Sequence, residues 1–313
     1  MRKAFIDTLI QQAHQNDKIW LLVADVGYNL VEPFRDEFPD RFINVGVAEQ
    51  NMIGVATGLA LSGKTVFCYS LANFPILRCL EQIRNDVCYH NADVKIVSSG
   101  GGLMYGSLGA SHHATEDLAI MRALPNMTVI APCDPIEAGL ATKAIAESGK
   151  PCFLRLSRTG DPIIHKVTPH FQVGKAIELR EGWDVTLMAT GSIMTEVLKA
   201  ADLLASEGVT AGVLSFHTVK PIDHIAICYS ALNTKAIVTV EEHNVDGGFG
   251  SAIVEELADC GMRINVRRVG IGNHFCSDVG SQQYLRGLNG LTAEHIAEVA
   301  REVLSYVAKS RVS

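Results

Sequence analysis

Apolar residues in this chain gather into short runs separated by amphipathic stretches of helical length. Trp20-Leu-Leu-Val-Ala24, Val94-Lys-Ile-Val97, Thr128-Val-Ile-Ala131 and Cys152-Phe-Leu-Arg-Leu156 are nearly unbroken apolar runs of strand length. Strands covered on both faces have that appearance. Helices are predicted between them near 51–62, 76–90, 115–123 and 135–148, and one more at the start, where Phe5, Ile6, Leu9, Ile10 and Ala13 recur at helical spacing. A polar, proline-bearing connector follows, from Ser157-Arg-Thr-Gly-Asp-Pro162 to Thr168-Pro-His-Phe-Gln172. The rhythm then restarts with predicted strands at Asp184–Ala189, Ala211–Leu214, Ala236–Val240 and Ile264–Val269, and helices at Met194–Glu207, Gly250–Asp259 and Ala293–Val307. Strands regularly spaced by helices predict an α/β chain of two doubly wound domains with mostly parallel sheets. The domains are expected over 1–165 and 178–313. Ligands of such sheets bind at the carboxyl ends of the strands, which is where Asp25 and Glu49 fall.

Composition narrows the class. With 313 residues, 48% hydrophobic and 19% charged, the chain can build two sizeable cores and is not disordered. A net charge of −7, with no basic run interleaved with aromatics, gives no reason to expect nucleic acid. No stretch is long and apolar enough for a membrane span, and Asp7 breaks any leader-like apolar segment. The eight cysteines form no C-x-x-C pair and show no evident His/Cys ligand spacing. They are expected to pack in cores in a reducing, cytoplasmic compartment, with no zinc and no other metal held by this chain.

Candidate chemistry centres on Glu49, in Asn44-Val-Gly-Val-Ala-Glu-Gln-Asn51 ahead of the small-residue helix Met52-Ile-Gly-Val-Ala-Thr-Gly-Leu-Ala60. A single carboxylate amid glycine and alanine suits a flat ligand approaching the backbone. Equally, it is a first-turn carboxylate favoured by the helix dipole. The run Glu241-Glu-His-Asn-Val-Asp-Gly-Gly-Phe-Gly250 invites a phosphate reading, because glycines expose amides at a helix start. It has neither G-x-G-x-x-G nor a Walker lysine, and a plain structural turn is the favoured reading.

The Glu49 run resembles the aminopyrimidine-binding segment of transketolases, in which one Glu hydrogen-bonds N1′ of thiamine diphosphate. Leu22-Val-Ala-Asp25, Leu124-Pro-Asn-Met-Thr-Val-Ile-Ala-Pro132 with Asp134 and Glu137, Leu156-Ser-Arg158, Phe171-Gln-Val-Gly-Lys-Ala176 and Lys220-Pro-Ile-Asp223 extend the resemblance over essentially the whole chain. The pattern is that of the family's C-terminal half, a pyrimidine-binding domain followed by the transketolase C-terminal domain. The family's Gly-Asp-Gly, which holds Mg²⁺ and through it the cofactor's diphosphate, occurs nowhere; Gly160-Asp161-Pro162 is the nearest run. The resemblance therefore implies a partner subunit with the diphosphate-binding domain and the Mg²⁺ ligands, in an α2β2 assembly that moves a two-carbon ketol unit between sugars.

What the resemblance implies for individual residues is equally specific. Glu49 is the catalytic carboxylate, and Phe74 is the ring against the aminopyrimidine unless it is plain core. Asp25 and, more weakly, Tyr69 complete the cofactor side. Transketolases of pentose phosphates carry a His and a substrate-reading Asp where this chain has Gly100 and Leu108, within Ser99-Gly-Gly-Gly-Leu-Met-Tyr-Gly-Ser-Leu-Gly-Ala-Ser-His-His113. The triple glycine is expected to open space or give flexibility there. His112 keeps the position of a later family His and is expected to act at the substrate. His113 beside it is also a candidate substrate contact. Adjacent residues point in different directions, so at most one of the two is expected to face the substrate, with His112 favoured. Both are alternatively surface or capping residues. Arg158 is a substrate-phosphate ligand or an ordinary connector arginine. Losing hydroxyl partners predicts a sugar other than the ordinary pentose phosphates. Alternatives are a β subunit of a 2-oxo acid dehydrogenase, against which Val47-Ala-Glu-Gln-Asn51 speaks, a deoxyxylulose-phosphate synthase-like half, and a non-catalytic binding protein of the same fold.

Overall fold

The computed structural model describes residues 1–157 and 160–310. The first half runs α1 (Arg2–Gln15), β1 (Ile19–Val23), α2 (Glu32–Glu37), β2 (Phe42–Asn44), α3 (Glu49–Leu61) and β3 (Thr65–Leu71). It continues through short helices α4 (Phe74–Leu77) and α5 (Leu80–Gln82), then β4 (Val94–Ser99), α6 (Asp117–Ala123), β5 (Thr128–Ile130), α7 (Pro135–Ala146) and β6 (Cys152–Leu156). The second half comprises β7 (Ile177–Arg180), β8 (Val185–Thr190), α8 (Met194–Ser206), β9 (Ala211–Ser215), β10 (Thr218–Lys220), α9 (His224–Asn233) and β11 (Ala236–Asn244). It ends with α10 (Phe249–Asp259), β12 (Asn265–Ile271), α11 (Gln282–Leu288) and α12 (Ala293–Ser310).

Two mostly parallel sheets result, ordered β10-β5-β6-β4-β3-β1-β2 and β12-β11-β8-β9-β7. Among the strands of the described residues, the β10–β5 and β7–β9 pairings are antiparallel and the rest parallel. The α/β expectation holds, but the halves are not cleanly divided: β10, from the second half, is the edge strand of the first sheet. Apolar residues of β1, β3 and β4 alternate between two cores. Leu22, Val66 and Cys68 face α3, while Leu21, Phe67 and Tyr69 face α1 and α7. A third core under α8 and α12 serves the second sheet.

The helix expected over 76–90 departs most from its pattern. Pro75 opens the four-residue α4, the chain breaks at Arg78–Cys79, and Ile83–Cys88 takes the wider π-helical turn. Irregular helical turns of this kind concentrate at functional sites. Just ahead of it, in the break between α4 and α5, Arg78 folds back over α4 towards Glu49. Short β7, β10 and α11 carry too few apolar residues to register as periodic patterns. No helix among the described residues is long and apolar enough to cross a membrane.

Candidate active site

Glu49 is the first residue of α3, so the dipole argument applies to it, yet its side chain does not cap its own helix. It turns into the fold with 2% of the side chain exposed. One oxygen accepts a hydrogen bond from Ser70 Oγ at 3.3 Å, and the other accepts from Arg78 Nη1 at 3.0 Å. Ser70 arrives there because β3 alternates: Ser70 faces α3 and its neighbour Tyr69 faces away. Tyr69 is wholly buried, its ring stacked on Phe5 at 6.0 Å between centroids. Burial pushes its hydroxyl pKa up. It lies on the opposite face of the sheet from Glu49, and its assignment to a cofactor wall is corrected.

Phe74 is half-buried and its ring lies under the Arg78 guanidinium, 4.1 Å from the centroid. Gln50 Nε2 donates to the Arg78 carbonyl at 2.8 Å, fixing the turn that presents it. Arg78 thus bridges the face of Phe74 and the carboxylate of Glu49 with a flat, hydrogen-bond-donating group. Glu49 and Phe74 accordingly offer the two contacts that a protonatable aromatic ring requires, a buried acceptor and a π face. These residues fit the aminopyrimidine of thiamine diphosphate. Asp25, with φ 53°, stands at the carboxyl end of β1 and is tied to Asn44, whose amide donates to Asp25 Oδ1 at 3.0 Å. Asn44 Oδ1 in turn accepts from the backbone N–H groups of Asp25 and Gly46, locking the loop before α3.

The substrate-side segment differs from expectation. Gly100 does not open space: a Cβ there would lie 2.0 Å from the ring of Tyr105. At Gly101 and Gly102 a Cβ would lie 2.5 Å from Arg155 Nε and from Glu242 Oε1 respectively. The three glycines let Tyr105, Arg155 and Glu242 approach the backbone, so Tyr105 rather than an empty volume stands at this position. Its ring is 6.5 Å from His112, which is edge-on to Phe74 at 5.1 Å. His112 thereby joins the Phe74 cluster. His113 is 4% exposed, with burial pushing its pKa down, and its carbonyl accepts from Asn73 Nδ2 at 2.8 Å. It is a core residue of the loop, which corrects its place among the substrate contacts. Leu108 is 54% exposed in a short 3-10 turn. Arg158 lies outside the described residues.

The second half braces this segment. Glu242 accepts from Leu103 N–H at 2.7 Å and from Gln282 and Arg286, the latter through Nε at 2.7 Å. Arg155 donates to Asp117 and to the carbonyl of Ala114, both at 2.7 Å, and to the Glu242 carbonyl at 3.0 Å. These charges are buried but mutually compensated. The adjacent Glu241 settles the glycine turn. Its oxygens accept from Phe249 and Gly250 N–H at 2.6 and 2.7 Å, so the donors a phosphate would use are taken. Burial pushes Glu241 up to about 7. Asp134 and Asp223 are likewise structural, capping α7 and α9, and Asp223 also binds Ala176 N–H at 2.9 Å, joining two of the recurrent motifs.

A buried carboxylate beside an aromatic face at the carboxyl edge of a parallel sheet, followed by a second α/β domain that braces the neighbouring glycine segment, defines one protein class. The chain belongs to the transketolase family. Residues 1–160 match the transketolase pyrimidine-binding domain and residues 174–296 the transketolase C-terminal domain. Within that family it has the form of the separately encoded C-terminal half. It is 41% identical over 97% of its length to the 6-deoxy-6-sulfo-D-fructose transketolase subunit SqwH of Clostridium sp. (strain MSTE9), covering 94% of that protein. Against one of the subunits of the apulose-4-phosphate transketolase of Phocaeicola vulgatus it is 35% identical, covering 96% of each chain. A solved split-gene transketolase, an inactive beta4 tetramer, superposes with a TM-score of 0.89 at 39% identity, covering 97% of this chain and 98% of that one. Family membership implies dependence on thiamine diphosphate.

Sequence reasoning missed Ser70, Arg78 and Tyr105. Only the aromatic after a glycine run offered a signal, since a glycine triplet implies that something large packs against it.

Proposed function

We propose that this chain is the C-terminal subunit of a transketolase that moves a two-carbon ketol unit between sugars or sugar phosphates other than the ordinary pentose phosphates. The observation that carries the reading is the buried Glu49 carboxylate and the face of Phe74, bridged by one planar donor, the Arg78 guanidinium. Thiamine diphosphate, when bound, supplies the electron sink for breaking the donor's C–C bond. Glu49 holds a proton at N1′ of the aminopyrimidine, Ser70 orients the carboxylate, and Phe74 covers the ring. Arg78 must leave both contacts for that ring to enter. Asp25 keeps the strand-end loop in place, and His112 meets the substrate beside Tyr105, with Arg158 at its polar end.

With no Gly-Asp-Gly in the sequence, the Mg²⁺ ligands and the diphosphate cradle belong to a partner subunit carrying the N-terminal transketolase domain, in an α2β2 assembly. Replacing the family's hydroxyl-reading Asp by exposed Leu108 and its His by Gly100 under Tyr105 favours a modified or branched ketose. The names of the two relatives, for a sulfonated deoxyketose and a branched ketose phosphate, point the same way. Steady-state kinetics of the reconstituted two-chain complex test this with ordinary pentose phosphates against sulfonated and branched donors. A kcat/KM higher by tenfold or more for a modified donor is expected; efficient use of xylulose 5-phosphate and ribose 5-phosphate refutes it.

A further inference from the structure

On the second half, away from the Glu49 pocket, two helices bring together four side chains that the transketolase chemistry does not use. His224 opens α9 and Cys228 follows one turn later; Glu256 and Cys260 are related in the same way on and just after α10. Residues four apart share a helix face, and the two faces meet. Cys228 Sγ and Cys260 Sγ are 3.4 Å apart. His224 Nδ1 lies 3.3 Å from Cys260 Sγ and 4.0 Å from Cys228 Sγ. Glu256 Oε1 is 3.5 Å from Cys260 Sγ and 2.5 Å from His224 Nδ1. Sulfur and nitrogen atoms around a tetrahedral Zn²⁺, with bonds of about 2.3 and 2.0 Å, stand roughly 3.3–3.8 Å from one another. The contacts among the two thiols and the imidazole already fall near that range. The Glu256 carboxylate stands outside the trio whose ligand atoms all lie within 4.8 Å of one another, and at 2.5 Å from His224 Nδ1 it must move before it joins the ion as a fourth ligand.

We propose that His224, Cys228 and Cys260 hold a tetrahedral zinc ion that pins α9 to α10, with its fourth position filled by water or by a shifted Glu256. Two thiolates and an imidazole are borderline-soft donors that select Zn²⁺ over Mg²⁺ or Ca²⁺. The expectation of no zinc and no metal in this chain rests on the lack of C-x-x-C and of evident His/Cys ligand spacing. It passes over the H-x3-C of His224 and Cys228 and the E-x3-C of Glu256 and Cys260, one helical turn each. Glu241 caps α10 at the end that adjoins the active-site brace, and Cys260 lies at the other end, about 16 Å away for eleven residues of helix. The ion is therefore structural, not part of the transfer reaction.

Titration of the reduced full-length chain with Co²⁺, followed by displacement with Zn²⁺, tests the proposal. Expected are one equivalent of Co²⁺ per chain, thiolate-to-metal charge-transfer absorption with strong tetrahedral d–d bands, and bleaching of both by Zn²⁺. Cys228→Ser and Cys260→Ser should each weaken binding at least 100-fold, whereas His295→Ala, at an exposed His–Glu pair on α12, should leave it unchanged. Independently of any variant, Zn²⁺ should protect Cys228 and Cys260 of the native chain from alkylation. Absence of stoichiometric binding, a weak octahedral spectrum, bands that persist in both Ser variants, or alkylation undiminished by Zn²⁺ overturns the site. So does a Cys228–Cys260 disulfide whose formation Zn²⁺ fails to block.

Discussion

Replacing Glu49 with Gln in the assembled complex separates a catalytic carboxylate from a structural one. Gln keeps the volume and the oxygen that accepts from Ser70, but it puts an amide donor opposite the Arg78 guanidinium. Losing one charge-assisted hydrogen bond costs about 1.5–3 kcal/mol. Against this, burial of an ionised group carries a desolvation penalty of several kcal/mol that the neutral amide largely escapes. Arg78 has 49% of its side chain exposed and can turn into water. The two terms nearly cancel, leaving a net change of about 1 kcal/mol in either direction. For 313 residues, the unfolding entropy is about 0.7 kcal/mol per kelvin, so Tm should move by no more than about 2 °C. Turnover is another matter, because the amide cannot exchange a proton with N1′. General acid–base catalysis contributes about 10²–10⁴-fold, or roughly 3–5 kcal/mol in the barrier. Thermal melts and single-turnover ketol transfer on the same preparation check both numbers. Turnover above roughly a tenth of the parent, far short of such a loss, removes Glu49 from the mechanism; a Tm drop of 8 °C or more makes it structural.

Arg78→Ala leaves the buried Glu49 with Ser70 alone and removes the cation from Phe74, which should destabilise the isolated chain by about 2–3 kcal/mol. The loss should shrink in the complex saturated with thiamine diphosphate, where the guanidinium has been displaced; equal losses in both states would show that Arg78 does not share the cofactor's place. Gly100→Ala combines a φ of +95° with the 2.0 Å approach to Tyr105, so about 2–3 kcal/mol and some 4 °C in Tm are expected to go. Gly100→Ala/Tyr105→Ala should not recover the share due to backbone strain, as calorimetry of the pair will show. His217, stacked on Phe171 at 4.0 Å, is held down at about 4 by burial, which outweighs the pull of Glu137. Its folded pKa is depressed below the ordinary 6.5, so the unfolded chain binds a proton first and stability falls as pH drops from about 6.5 towards 4. By pH 5 this group costs roughly 2 kcal/mol. Urea melts of His217→Gln should show an acid limb flatter by that amount, and parallel limbs would contradict the assignment.

The parts of the fold legible in the sequence were those with their own periodicity. The buried strands β1, β4, β5 and β6 and the helices α3, α7, α8 and α12 announce themselves because burial on a sheet, or along one helix face, forces a repeating apolar pattern. The edge strand β10 is three residues long and takes its stability from β5, not from its own pattern. Glu49 could be found because it interrupts an apolar context, and Phe74 and His112 because they sit in recognisable runs. Arg78 could not, since its meaning lies in a broken helix that folds it back on residues 4 and 29 positions earlier. The error at Tyr69 was one of parity: a single step along β3 separates the Glu49 face from the α1 face. The error at Gly100 was one of sign, since glycine permits close packing as readily as vacancy.

The loan of β10 to the first sheet bears on how this protein can be dissected. An excised piece ending near residue 165 would contain every predicted contact to the aminopyrimidine and would look self-sufficient on a domain map. It would also leave β5 as a bare margin, offering unpaired N–H and C=O groups to any other strand. Such a piece is expected to self-associate through β5, whereas one extended through Lys220 keeps β10 on β5 but strips β11 from β8 and bares the second sheet instead. A cut after the borrowed strand thus divides the second sheet and its core, so the cofactor-binding half is tied to the whole chain and is not a separable module.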